Sequence, residues 1–196
     1  MERHEQSQDQ LDLLSDITDL GAMRVLLADL HDDLKGKVAR FRYLSDLGMQ
    51  LGSGGTMLYG GHVTFNAWAE ARSSFVHGNF LATILLCQSL AENLLAGYLH
   101  LGSSELPRRI AFDETLRRAR DAGILLEDDV RDLKRLVGLR NPLTHFRAVD
   151  DEHNLVRRSM TTGEFVDDIL INDAWFAIGL AARLLSNRPF RVDSSD

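Results

Sequence analysis

The stretch FLATILLCQSLAENLLAGYLHL, residues 80 to 101, decides the fold class. Phe80, Ile84, Cys87, Ala91, Leu94 and Tyr98 recur at alternating spacings of four and three, the mark of a central helix in a bundle. A second stripe, Leu81, Leu85, Gln88, Glu92, Leu95 and Leu99, runs beside it and sets two polar side chains among leucines. Buried polar groups need partners. For Glu92 the expected partner is a buried arginine, Arg140 or Arg183; the alternative is a place at the solvent margin.

The same periodicity extends in both directions. Leu20, Met23, Leu27, Leu30, Leu34, Val38, Phe41 and Leu44 predict one long helix, or two joined near Gly36. Glycines 48, 52, 54, 55, 60 and 61 then mark a hinge. They lack the Gly-Lys-Ser/Thr that completes a phosphate-binding loop. The division expected is a helical extension over residues 1–55 and a bundle over 56–196. Between His62 and Val76 a helix is predicted to turn Phe65, Trp68, Ala71 and Phe75 inward, and His77-Gly78-Asn79 ends it. Pro107 opens a short turn or helix, a helix follows from Ala111 to Ala122, and Gly123 caps it. Glu127, Asp128 and Asp129 suit the first turn of the next helix, where carboxylates favour the dipole. Arg147 to Gly163 reads as a polar loop, and a last helix runs from about Glu164 to Leu185, carrying Phe165, Ile171, Ala174, Ile178 and Ala181, with Trp175 alongside. No alternation of apolar and polar residues argues for strands. The fold class is therefore all-α.

Composition sets outer bounds. A chain of 196 residues suits one domain with a helical appendage, and 44% hydrophobic with 26% charged residues is a soluble, globular balance. The longest apolar stretches, Phe80 to Cys87 and Ala174 to Leu185, are shorter than a bilayer requires, so no transmembrane helix is expected. The first ten residues lack the apolar core of a secretory signal, and the single Cys87 can form no internal disulfide. A reducing cytoplasm is the expected setting. The net charge of −7 argues against passive coating of nucleic acid, yet residues 107–158 hold 12 of the 22 Lys and Arg against 10 of the 29 Asp and Glu. The less acidic part is also the part that carries the candidate chemistry.

That chemistry lies in Leu139-Arg140-Asn141-Pro142-Leu143-Thr144-His145-Phe146. Counting back from Arg140 at helical spacing gives Val137, Leu133, Val130 and Leu126, so Arg140 takes the next place on an apolar stripe. A guanidinium there must meet an anion, a hydrogen-bond acceptor or a second subunit. The structural alternative is an arginine bonding the last carbonyls of a helix, with a histidine capping the turn. Pro142 is predicted to break or kink the helix at Asn141, leaving Asn141 to cap a new turn that carries Thr144 and His145.

Taken together, the helical bundle, the helix reading Ser89-Leu-Ala-Glu-Asn-Leu-Leu-Ala, and Arg140, four residues beginning with Asn141, and His145 resemble the HEPN superfamily. The resemblance covers about His62 to Ser186. It implies an antiparallel HEPN-like bundle and a metal-independent endoribonuclease without cofactor, whose site forms between two copies in a homodimer. It further implies RNA as substrate, no membrane partner, and the setting of a toxin–antitoxin or antiphage system with an antitoxin or regulatory protein as partner. On this resemblance Arg140 and His145 are catalytic and Asn141, Glu92 and Thr144 support them. The superfamily also contains noncatalytic members that bind RNA, a nucleotide or a protein, and that is the competing function.

Other candidates carry less. His31-Asp32-Asp33 has metal-ligand residue types but no second ligand cluster. Ser53, Ser89 and Cys87 have no nucleophile context. His100 ends a helix, where an imidazole serves the last carbonyls, and His62 and His77, at helix ends near turns, read as structural.

Overall fold

In the computed structural model, residues 19–52, 54–102, 106–107 and 109–192 are described. Ser53 and the first eighteen residues lie outside them. The described residues form eight helices and no strand: α1 Leu20–His31, α2 Leu34–Gln50, α3 Gly61–His77, α4 Phe80–Gly102, α5 Phe112–Asp121, α6 Glu127–Thr144, α7 Leu155–Thr162 and α8 Val166–Ser186. The all-α class is as the periodicity predicts.

The chain divides into two compact units, residues 1–36 and 37–196. In the first, α1 begins at Asp19, whose carboxylate accepts from the amides of Gly21 and Ala22 at 2.9 and 3.2 Å. None of its residues is buried. The join between the two N-terminal helices falls at Asp32 and Asp33 rather than at Gly36, with Asp33 at φ 49°. The second unit takes in the part of α2 from Lys37 onward.

In that second unit α4 is the central helix, packed against α3, α5, α6 and α8. Ile84, Cys87, Leu90, Leu94 and Leu95 are fully enclosed, and α8 answers with Ala174, Ala177, Ile178 and Leu185. Two aromatic clusters tie the periphery to this core. Tyr43 of α2 packs at a tilt against Trp175, centroids 4.5 Å apart, and Trp175 meets Phe75 edge-on at 4.9 Å. Tyr59, Tyr98 and Phe190 form the other, with centroids 5.1 to 6.0 Å apart. It closes beside a single bridge between Thr56 and Arg191. The backbone passes close here: a Cβ on Gly97 would lie 2.5 Å from the amide nitrogen of Gly60, itself at φ 94°.

Arg40, which carries no apolar signature, is buried; its Nε and Nη2 donate to the Val76 carbonyl at 3.0 and 2.9 Å. It thereby satisfies the C-terminal end of α3. On α3 itself Thr64, Ala67, Ala71 and Phe75 face inward, whereas Phe65 is exposed, because Thr64 and Ala67 extend the Ala71–Phe75 stripe and Phe65 lies off it. The turn at Gly78 and Asn79 closes as predicted, their amides donating to Phe75 and Ser74. On the surface of α5, Arg117 and Arg118 hydrogen-bond Glu114 and hold its carboxyl down at about 2.

Both α4 and α8 are long and apolar enough to cross a membrane, being longer than the apolar runs within them. Burial in a bundle core makes the same demand on composition, and each of the two helices has close to half of its most apolar window inside the bundle.

Candidate functional site

Helix α6 carries the candidate residues, and both of its ends are anchored. At its start the Asp129 carboxylate accepts the Leu126 amide at 3.1 Å, the Asn187 side chain at 3.5 Å and, as an ion pair, Arg183 Nε at 3.4 Å. A buried carboxylate is stable only with such partners. Val130, Leu133 and Leu136 then fill the core, and Leu139 and Leu143 pack against it. Leu126, predicted to begin this stripe, is instead the exposed residue just before the helix.

Arg140 lies half-buried at the end of the inward face, and its Nη1 donates to Asn141 Oδ1 at 3.3 Å. The guanidinium does not bond the final carbonyls. Those are taken by Thr144, whose hydroxyl donates to the carbonyls of Arg140 and Asn141 at 3.4 and 3.2 Å, and by the His145 amide, 3.1 Å from the Asn141 carbonyl. His145 is the residue after the helix, with extended backbone and an exposed side chain, and Phe146 beyond it is 94% exposed.

Pro142 neither breaks the helix nor starts a new turn; α6 continues through it to Thr144. Proline forfeits the amide bond to the Gly138 carbonyl. The helix tolerates this because Leu139 and Leu143 are held by the core on either side, and the His145 amide closes the last turn onto Asn141. Asn141 is thus an interior helical residue that fixes Arg140, not a cap.

Glu92 does not take the arginine partner expected for it. Gln88 Nε2 donates to Glu92 Oε1 at 2.9 Å, one turn away on α4. Arg140 is engaged by Asn141, and Arg183 by Asp129 and Asp132. The two polar groups of this stripe thus pair with each other within α4, while the buried Gln88 Oε1 has no hydrogen-bond partner.

A groove that spacing did not reveal lies along the C-terminal half of α6. It has a volume of about 450 Å³ and is lined by Arg135, Gly138, Leu139, Glu152, His153 and Arg158. The segment predicted as a loop from Arg147 to Gly163 builds one wall, and it contains α7. Asn154 caps that helix by accepting the amides of Val156 and Arg157, while Gly163 ends it at φ 75°. Those two residues are the signal that could have located it. Ahead of α7, the His153 amide donates to Asp151 at 2.9 Å and Arg147 pairs with Asp151 at 3.3 Å. Chiefly through the His153 amide, with Arg147 adding to it, the Asp151 carboxyl sits below the usual carboxylate range. Arg158 reaches across to Asp173 of α8 in a two-pronged pair at 2.7 and 3.1 Å. Arg135 lies 4.0 Å over the Phe176 ring.

Among the described residues no group of three or more His, Cys, Asp and Glu is placed to hold a metal ion. Cys87 is enclosed in the core, where burial pushes its thiol up, away from nucleophile chemistry. Comparison with family models, with curated proteins and with solved structures finds no match to this chain.

Proposed function

We propose that the chain is a metal-independent endoribonuclease of HEPN type, a cytoplasmic toxin or antiphage effector working as a homodimer and held in check by an antitoxin or regulatory protein. The observation that carries this reading is the end of α6: a half-buried Arg140 steered by Asn141, followed five residues on by an exposed His145. Five helical residues correspond to a rotation of about 140° and a rise of about 7.5 Å, so one helix does not aim both groups at a single point. Two copies meeting at this end would bring the Arg140 of one toward the His145 of the other. Phe146 and Val149, 94% and 61% exposed beside His145, supply apolar surface for that contact.

The chemistry follows from the side chains. An RNA 2′-hydroxyl attacks the neighbouring phosphorus, forming the 2′ O–P bond as the bond to the 5′ oxygen breaks. An imidazole takes the proton from the 2′ oxygen and a second returns one to the leaving oxygen, while a guanidinium offsets the charge on the phosphorane. His145 fills the first role and Arg140 the second. Asn141 fixes the guanidinium, Thr144 holds the helix end, and Glu92, bonded to Gln88, lies outside this set.

Purified protein incubated with RNA in excess chelator, beside Arg140→Ala and His145→Ala, tests the reading. Each variant should lose cleavage by about 10²-fold or more at unchanged circular dichroism. A wild type that cleaves no RNA would leave the noncatalytic binding module as the function.

A further inference from the structure

The groove between α6 and α7 holds two arginines in different states. Arg158 is neutralised from behind by Asp173, whose side chain is only 6% exposed. Two of its five N–H donors are taken in that pair, and the rest of the fork is set in place by it. Arg135 has no such partner: it is exposed, and its contact is with the face of Phe176. A guanidinium stacked on a ring keeps its in-plane donors free and is already restrained, so little entropy is lost when it grips a planar or tetrahedral oxyanion. Beside it Gly138 leaves the floor open, since an added Cβ would meet nothing within 4 Å. Leu139 closes one side with an apolar surface, which weakens the competition from water.

The geometry points to a phosphate-ester site in this groove, with Arg135 as the principal ligand and Arg158 as the second. Neither Arg140 nor His145 lines the groove, so it is separate from the end of α6. It stands without the ribonuclease reading; if that reading holds, the groove grips a phosphate away from the bond that is cut. His153 sits on the rim with its side chain 55% exposed, and Glu152, 88% exposed, is the one carboxylate in the lining and opposes an anion. The phosphate ester can belong to a polynucleotide or to a free nucleotide.

Fluorescence anisotropy with a labelled 2′-O-methyl oligoribonucleotide of about 12 nucleotides reads binding apart from cleavage, because the blocked 2′ oxygen cannot attack. Inorganic pyrophosphate, titrated by calorimetry and as a competitor, represents the free source. Arg135→Ala should weaken binding about tenfold and lower the salt slope by about one. Gly138→Asp, which sets a carboxylate in the open floor where an added Cβ meets nothing within 4 Å, should do the same. Glu152→Gln should tighten it. Pyrophosphate binding that depends on Arg135, with no binding of the oligonucleotide, assigns the site to a free nucleotide; binding of the oligonucleotide that depends on Arg135 assigns it to a polynucleotide. Wild-type affinity in both Arg135→Ala and Gly138→Asp, or no binding of either probe by the wild type, overturns the proposal. His145→Ala keeps this binding, so RNA that binds through Arg135 but is never cut would sink the nuclease reading alone.

Discussion

Arg158 and Asp173 show how much a single residue can decide. The carboxylate of Asp173 is all but removed from solvent and both of its oxygens are held by one guanidinium. Removing Arg158 leaves that charge buried without a partner, so Arg158→Ala should cost about 3–5 kcal/mol. Replacing both, as Arg158→Met with Asp173→Leu, removes the desolvation penalty with the pair and should restore most of the loss. Urea titrations of the single and double variants check this: the single variant lowers the midpoint, and a double variant no better than the single would contradict it. At this scale part of the site could be read in the chain. Arg140, Asn141 and His145 are a contiguous run whose polar character stands out at the end of an apolar stripe. Arg158 with Asp173, fifteen residues apart, and Arg40 with the Val76 carbonyl, 36 apart, leave no such trace. Glu92 is the instructive failure, because a nearer donor, Gln88, lay one turn before it on the same face.

Helix α6 is where local rules and packing conflict. Proline inside a helix removes one hydrogen bond and disfavours helical geometry in the residue before it, which on local grounds ends the helix at Asn141. The leucines at 139 and 143 reverse that outcome by anchoring the last turn to the core. Pro142→Ala restores the donor facing the Gly138 carbonyl and should stabilise the fold by about 1–3 kcal/mol. Denaturant unfolding would show this as a higher midpoint at unchanged slope; a lower midpoint would mean that the proline ring itself is packed to advantage. Helix α7 goes the other way: its polar stretch predicts a loop, although Asn154 and Gly163 punctuate it as a helix. None of its eight residues is buried, so the apolar periodicity that reveals α3, α4 and α8 is weak there. Phe65 and Leu126 are exposed for a related reason, since an apolar residue near a stripe is not thereby on it.

At the largest scale, the unit from Lys37 onward is organised around α4, and Cys87 stands at its centre with no exposed surface. A thiol so enclosed reacts only when the core opens. Ellman's reagent should therefore modify no thiol in the native protein and one per chain in concentrated guanidinium, and between these limits the labelling rate should follow global unfolding. Rapid native labelling would mean that the core opens locally around α4. By itself the sequence determined the all-α class, the central helix, the turn at Gly78 and the run from Arg140 to His145, because each rests on neighbours within a few residues or on a repeating period. Only the tertiary structure decided that α6 runs through Pro142 and that Arg135 and Arg158 share a groove with the segment before α7. Those outcomes depend on which surfaces meet when helices pack, and burial against a partner outweighs the smaller local preferences that a linear reading can see.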